Sequence, residues 1–267
     1  MKPARVVLLV ASAGGLSLFA WSVLLDPVPP ALAIAAVVAY VTLATAGVLI
    51  PQWEMYADVL SRFPAETERI ALTFDDGPSP DTTPRVLDLL RARGHRATFF
   101  VVGKKVERHP EIVQRMRADG HGIGLHGYAH HRSYSLRPPA FVEQDVRRTQ
   151  EAVAAAAGVR PTILRPPVGY VSSRTALGAR RAGVVLVAWS ARAIDGLKRT
   201  AADQVVRRVA AGLRPGAIVM LHDAAEREDF TPAALEALPR ILDLIDERGL
   251  KTATIEELRS SARSDRR

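Results

Sequence analysis

The sequence predicts an α/β fold built on a parallel sheet, either a barrel or a doubly wound sheet, with two transmembrane helices in front of it. From about residue 66, short apolar runs alternate with longer, charged, amphipathic stretches, a pattern typical of βα units. Reactive residues directly follow several of the apolar runs. The first 50 residues, in contrast, are almost uncharged.

Two long apolar runs predict the transmembrane helices. Residues 6–25 and 31–50 carry no charge, and each run has about the 20 residues that a helix needs to cross a bilayer. The segment between them, residues 26–30, contains three prolines, which end one helix and start the next. We therefore expect a membrane anchor over residues 1–52 and a linker over residues 53–68, with Trp53 and Tyr56 at the membrane interface.

The charge distribution around the hairpin favours a cytoplasmic location for its two ends. Lys2 and Arg5 precede the first run, and the turn carries no cation. Two other interpretations remain open. In one, the first run is a signal peptide that is cleaved at Ala31-Leu32-Ala33. In the other, the two runs form a buried helical hairpin of a soluble protein.

Composition limits the chemistry of the rest of the chain. Its 267 residues suit one large catalytic domain with an accessory segment. Cysteine is absent, so a metal must be held by His, Asp or Glu. The net charge of +8 suits an anionic lipid or glycan partner. The sequence does not favour nucleic acid as a partner, since no basic motif is interleaved with aromatic residues.

The alternating pattern predicts seven strands and six helices. Four of the helices begin at proline, which is preorganised for a first helical turn. Pro239 lies inside the last helix and predicts a kink or two pieces. The predicted strands are 70–74, 97–102, 122–125, 162–164, 184–189, 217–221 and 252–254; the predicted helices are 84–93, 110–119, 138–157, 172–182, 201–211 and 232–248.

Five predicted strands lead directly into reactive residues. Because the carboxyl ends of parallel strands share one edge of the sheet, these residues are expected to converge there. In chain order they are Asp75 and Asp76 after 70–74, His126 after 122–125, Arg165 after 162–164, Asp195 beyond 184–189, and His222 with Asp223 after 217–221.

Two histidines and a carboxylate make a candidate metal site at that edge. His126 and His130 are four residues apart, a spacing that turns both imidazoles the same way on a helical turn. Together with a carboxylate from Asp75-Asp76 they form a three-ligand site with open positions for water and substrate. Three other histidines, His95, His109 and His121, are expected to be solvated.

These residues resemble the polysaccharide deacetylase family, which includes chitin, chitooligosaccharide and peptidoglycan N-deacetylases. The similarity covers about residues 69–258, the predicted catalytic domain. Five motifs occur in the family's order. They are Thr73-Phe74-Asp75-Asp76-Gly77, His126-Gly127-Tyr128-Ala129-His130, Arg165-Pro166-Pro167-Val168-Gly169, the region 189–195, and Val219-Met220-Leu221-His222.

The resemblance implies a distorted (β/α) barrel of seven or eight strands and a role for each matching residue. The metal, usually Zn²⁺ and sometimes Co²⁺ or another divalent ion, has Asp76, His126 and His130 as ligands. Catalysis uses Asp75 as general base, Arg165 to orient that base, His222 as general acid and Asp195 to support His222. Val168 donates its backbone N–H to the oxyanion, and Leu221 belongs to the substrate pocket.

The sequence departs from the family pattern at three positions. Val168 replaces a common tyrosine but keeps its backbone N–H. Gly196 replaces a tryptophan that encloses the acetyl methyl, and Arg192 replaces a carboxylate. We expect Arg192 near the mouth of the substrate pocket, where it suits an anionic group on the substrate.

The predicted function is metal-dependent removal of an N-acyl group, acetyl first, from an amino sugar of a polysaccharide, oligosaccharide or envelope glycan. Three alternatives remain open: a deacylase or deformylase of a membrane lipid-linked amino sugar, a non-catalytic glycan-binding relative, and a basic membrane-surface or nucleic-acid binder. The Arg-rich residues 259–267 are expected to be a flexible tail.

Overall fold

A single curled sheet of parallel strands organises the computed structural model, which describes residues 1–264. The strand order is β5-β4-β3-β2-β1-β7-β6, and β8 pairs with the start of β1. This is the predicted distorted barrel, left open between β5 and β6. The strands are β1 Arg69–Asp75, β2 Thr98–Val101, β3 Gly122–Leu125, β4 Ile163–Leu164, β5 Val185–Leu186, β6 Ala191–Arg192, β7 Ile218–His222 and β8 Lys251–Thr252.

The helices that follow β1 to β7 pack against the outer face of the sheet, whereas α10, after β8, packs into the inner-face cluster through Ile255 and Leu258. Three elements were not predicted: helices α4 and α10 and strand β6. Helix α4 and strand β6 are too short to show a periodicity in the sequence. The helices are α1 Pro3–Leu24, α2 Pro30–Leu49, α3 Thr83–Ala92, α4 Gly103–Arg108, α5 Pro110–Ala118, α6 Pro139–Ala157, α7 Ser173–Arg181, α8 Ala202–Gly212, α9 Ala234–Glu247 and α10 Ile255–Ser264.

Alternation along the strands divides the buried residues between two faces. Phe74 and Phe99 occupy paired positions on β1 and β2, and their rings stack at 5.2 Å. Asp75 and Phe100 are the next pair and point to the opposite, inner face. This inner face carries the polar residues at the ends of the strands.

The two apolar helices lie outside the barrel. Both α1 and α2 are long and apolar enough to cross a membrane, and nearly all of their side chains are exposed. The foot of the hairpin nevertheless contacts the domain. The Tyr56 hydroxyl donates to Ala44 O at 2.9 Å, and Lys2 Nζ lies 3.0 Å from Glu54 Oε1. Trp53 is 43% exposed beside this foot.

Residues 53–68, predicted as a linker, pack against the open edge of the sheet. Leu60 donates its N–H to Leu186 O on β5, and Phe63 donates its N–H to Gly216 O just before β7. Phe63 is buried in the inner core. The segment therefore bridges the sheet where β5 and β6 leave it open.

Two expectations about the C-terminal part change. Helix α9 is not divided into two pieces at Pro239, because an apolar stripe including Leu238, Ile241 and Ile245 is buried on both sides of the proline. Residues 259–264 of the predicted tail belong to α10, which is anchored by the buried Leu258. The rest of that tail, residues 265–267, lies outside the described residues.

The prediction that His95 and His121 are solvated is also wrong. Each follows a glycine with positive φ, Gly94 or Gly120, that ends α3 or α5. Each donates its N–H back into that helix, to Leu90 O or Met116 O. This helix ending carries the residue after the glycine underneath the last turn, so both histidines are buried. His109 is only partly exposed.

Candidate active site

The turn after β1 places two carboxylates at the inner face. Asp75 is the last residue of β1, and Asp76 has a φ of 73°, a left-handed conformation that is uncommon for aspartate. Gly77 follows without room for a side chain, because a Cβ there would meet Asp223 Oδ2 at 2.1 Å. This sharp reversal separates the two acids, so that Asp75 and Asp76 can serve different functions.

Asp76, His126 and His130 converge as predicted for metal ligands. Asp76 Oδ1 lies 3.3 Å from His126 Nε2 and 3.2 Å from His130 Nε2. One ligand atom from each residue lies within 4.8 Å of the other two. Burial by itself raises the pKa of Asp76, but the neighbouring His126, His222 and His130 lower it below its usual range. The carboxylate is therefore charged at neutral pH.

The donor set fits a divalent metal ion. Asp76 Oδ1 is buried and accepts no hydrogen bond from the described residues, as expected for an oxygen reserved for a cation. His126 Nδ1 lies 2.7 Å from the Arg165 carbonyl oxygen, to which it must donate, and this leaves Nε2 as the ligand atom. Two imidazoles with one carboxylate are a ligand set that zinc accepts.

A carboxylate lies within ion-pair distance of the far nitrogen of His130, although the two atoms do not form a hydrogen bond. Glu226 Oε1 lies 3.4 Å from His130 Nδ1, and Glu226 is itself held by Arg132 Nη2 at 2.6 Å. Carboxylates that bind the far nitrogen of a metal-ligating histidine fix its orientation and raise its basicity. Glu226 was not predicted from the sequence, although its position four residues after His222, beyond the end of β7, was a usable signal.

Asp75 is fixed by a buried arginine. Arg165 Nη1 donates to Asp75 Oδ1 at 2.7 Å and to Thr73 Oγ1 at 2.9 Å, while its Nη2 donates to Ala188 O at 2.9 Å. Its guanidinium lies 4.2 Å from the centre of the Phe100 ring. The predicted pairing of Arg165 with Asp75 is thus present in the structure.

His222 and Asp195 form the second predicted pair. His222 Nδ1 lies 3.0 Å from Asp195 Oδ1, and Asp195 Oδ2 accepts the backbone N–H of His222 at 2.7 Å. Burial alone lowers the pKa of His222, but Asp195, together with Asp76 and Asp75, raises it to about 10. His222 is therefore protonated at neutral pH, as a proton donor to a leaving amine must be.

The three predicted pocket residues lie in different places. Val168 has a φ of 63° and is 37% exposed at the tip of the loop after β4. Leu221 does not line the pocket. It pairs with Phe74 on the outer face of the sheet, whereas its neighbour His222 pairs with Asp75 on the inner face. Met220, one residue earlier, shares the face of His222.

Arg192 lies at the open edge of the sheet. It pairs with Met220, and its guanidinium carbon is 5.4 Å from the centre of the Trp189 ring. The cavity that Arg192 lines is formed with Lys2 and residues 52–62 and includes none of the metal or catalytic residues described above. Gly196, where the family has tryptophan, packs against His222 instead, since a Cβ there would lie 3.0 Å from His222 Cε1.

The family model described as polysaccharide deacetylase matches residues 64–187. Over 201 residues the chain is 35% identical to a chitooligosaccharide deacetylase of Bradyrhizobium, covering 72% of this chain and 91% of that protein. This chain belongs to the polysaccharide deacetylase family. The shared part includes the first three motifs, with Asp75, Asp76, His126, His130 and Arg165.

Further relatives agree with this assignment. The chain is 38% identical over 191 residues to the peptidoglycan-N-acetylglucosamine deacetylase PgdA of Listeria monocytogenes, covering 72% of this chain but only 39% of that protein. The crystal structure of the Bc1960 peptidoglycan N-acetylglucosamine deacetylase superposes with a TM-score of 0.69 at 28% identity, covering 75% of this chain and 92% of that one. The curled parallel sheet is therefore shared with this family.

Proposed function

We propose that this chain is a membrane-anchored hydrolase that removes acetyl groups from the amino sugars of a cell-envelope glycan. The observation that carries the proposal is the convergence of Asp76, His126 and His130 beside two buried pairs, Asp75 with Arg165 and His222 with Asp195. The names of the relatives, deacetylases of peptidoglycan and of chitooligosaccharides, support this substrate class.

A divalent ion, Zn²⁺ or alternatively Co²⁺, would be held by Asp76 Oδ1, His126 Nε2 and His130 Nε2. When bound, such an ion lowers the pKa of a water molecule and polarises an amide carbonyl. The ligand set supports this proposal because it is buried, anionic through Asp76 and oriented from behind by Arg165 O and Glu226.

The two pairs supply the proton transfers of amide hydrolysis. Asp75, held in place by Arg165, accepts a proton from the attacking water while the water oxygen bonds to the carbonyl carbon of the acetyl group. The backbone N–H of Val168 donates to the oxygen that becomes negative. His222 gives its proton to the sugar nitrogen as the C–N bond breaks, and the products are acetate and a free amine.

Direct assay of the full-length chain tests this function. We expect purified protein to contain one divalent ion and to release acetate from N-acetylglucosamine oligomers or peptidoglycan, with a loss of activity on chelation and a recovery on adding Zn²⁺ or Co²⁺. Metal binding without acetate release on either glycan would instead identify a non-catalytic, glycan-binding relative.

Membrane anchoring by α1 and α2 is supported by the contacts at the hairpin foot. Arg5 Nε donates to Glu54 O at 2.8 Å, and the Val171 N–H donates to Val48 O at 3.2 Å. The start of α1 thus contacts the 53–68 segment and the end of α2 contacts the catalytic domain, an arrangement that a cleaved signal peptide does not require. Retention of the protein in membranes after an alkaline carbonate wash, with an intact N-terminus by mass spectrometry, tests the anchor.

A lipid-linked amino sugar is a second candidate substrate. The Val171 N–H contacts Val48 O at the end of α2, so a hairpin inserted in the membrane would hold the loop that carries Val168 near the membrane surface. The cations Lys2 and Arg5 favour the cytoplasmic face. Preferred turnover of lipid-linked saccharides over soluble oligomers would support this candidate, and protease accessibility in oriented vesicles tests the side.

A further inference from the structure

A polar cavity of about 980 Å³ opens at the foot of the hairpin, between the edge of the sheet and residues 52–62. Its lining combines two arginines, Arg62 and Arg192, with Lys2, two carboxylates and two serine hydroxyls. The indole of Trp189 forms part of the lining and lies under Arg192. The catalytic residues do not line this cavity.

The two arginines are the cations available to a ligand. The carboxylates of the cavity already have partners, since Glu54 is paired with Lys2 at 3.0 Å and Asp58 with Arg5 at 2.7 Å. Neither Arg62 nor Arg192 makes a side-chain hydrogen bond or an ion pair with any residue whose side chain the structure describes. The cavity therefore has a positive charge that protein carboxylates do not neutralise.

Two serine hydroxyls line the same cavity as these guanidinium groups. Ser190 Oγ accepts the N–H of Ile218 at 3.1 Å, and its own hydrogen is committed to no described acceptor. Ser61 lines the same cavity. Guanidinium groups with hydroxyl donors are the side chains that bind phosphate oxygens, because arginine presents a planar pair of donors.

The position of the cavity indicates where the phosphate comes from. Lys2 directly precedes α1, and Gln52 and Glu54 follow α2 by a few residues, so the lining lies at the level where both apolar helices end. If these helices cross the bilayer, as proposed above, that level is the headgroup layer. Trp53, 43% exposed, lies at the same level, where tryptophan is enriched in membrane proteins.

We propose that this cavity binds the phosphate group of a membrane lipid between Arg62 and Arg192. The inference rests on the proposed insertion of the hairpin. Such a contact adds a charged attachment next to the apolar anchor and holds the open edge of the barrel against the leaflet. Because the Trp189 ring packs against Gly169, next to Val168, a lipid phosphate bound here lies on the far side of one indole from the rim of the active site.

The test uses the full chain in an uncharged detergent and measures its affinity for three probes: short-chain phosphatidylglycerol, the matching diacylglycerol without phosphate, and inorganic phosphate. We expect saturable binding of phosphatidylglycerol, weaker binding of the other two, and a loss of affinity of about tenfold in Arg62→Gln and in Arg192→Gln. Arg137→Gln is the matched control, since Arg137 is exposed and lies over Phe141 at 5.1 Å, much as Arg192 lies over Trp189.

Three results would overturn the proposal: equal affinity for the lipid and its phosphate-free counterpart, equal affinity for inorganic phosphate and the lipid, or the same affinity in the two variants as in Arg137→Gln. Membrane retention after the carbonate wash separates this failure from failure of the proposed anchor. If the chain stays in the membrane but its lipid affinity does not depend on the two arginines, only the proposed lipid site is contradicted. If the chain is washed off, the proposed membrane anchor is contradicted.

Discussion

Arg165 Nη1 donates a hydrogen bond to Asp75 Oδ1 over 2.7 Å, and the two side chains are only 1% and 3% exposed. Lysine at position 165 keeps the charge but cannot reach Asp75, Thr73 and Ala188 at once. We predict that Arg165→Lys lowers turnover about 100-fold, since a small displacement of a general base has effects of this size. Bound metal, measured by elemental analysis, should stay at the wild-type level. Unchanged turnover would show that Arg165 does not position the base.

The pairing of His222 with Asp195 predicts a shift in the pH dependence of activity. Asp195 is the largest favourable contribution to the pKa of about 10 at His222. In Asp195→Asn that pKa falls, so the acid form of His222 is lost at a lower pH. The alkaline limb of the kcat/KM profile should therefore move to lower pH than in the wild type. An alkaline limb that stays in place would mean that another group donates the proton.

Glu226 is predicted to control metal affinity. In Glu226→Gln the contact with His130 Nδ1 loses its negative charge, which weakens both the orientation and the basicity of that ligand. Loss of such an outer contact lowers metal affinity by about 10- to 100-fold. Competition with a chromophoric chelator measures the change in Kd. Glu236→Gln is a suitable control, because Glu236 is exposed in the first turn of α9 and is not one of the residues of the metal site. Equal metal affinities in the two variants would show that Glu226 does not support the metal site.

Burial of His121 predicts an acid-sensitive fold. Burial lowers the pKa of His121 from 6.5 to about 4, so the unfolded chain binds a proton that the folded chain does not between these values. Stability is therefore lost as the pH falls from 6.5 towards 4, by up to about 3 kcal/mol. Asparagine can still accept the Ala97 N–H but does not titrate. Denaturant unfolding at several pH values should show that His121→Asn loses less stability at acid pH than the wild type. An equal loss of stability in the two proteins would contradict this assignment.

Much of the catalytic centre was predictable because parallel strands deliver their carboxyl ends to one edge. Asp75, His126, Arg165 and His222 each follow an apolar run directly, so the βα pattern alone placed them together. Asp195 was harder to predict from the pattern, because it follows β6, a strand of only two residues that is too short to show a periodicity.

The failures have local physical causes. Leu221 was assigned to the substrate pocket by its resemblance to the fifth family motif, although neighbouring residues of a strand point to opposite faces of the sheet. His95 and His121 were expected to be solvated because they lie in predicted helices or loops, whereas the glycine before each one allows a helix ending that buries the next residue. The contacts of residues 53–68 depend on where the barrel remains open, which no local pattern records.

The most direct test of the catalytic centre compares metal content and acetate release in Asp75→Asn and His126→Ala. We predict that Asp75→Asn keeps its metal and loses turnover by about 100-fold or more, because the base is removed and the ligands remain. His126→Ala should lose both metal and activity. An Asp75→Asn enzyme that works at the wild-type rate, or a His126→Ala protein that retains its metal, would contradict the proposed division of roles.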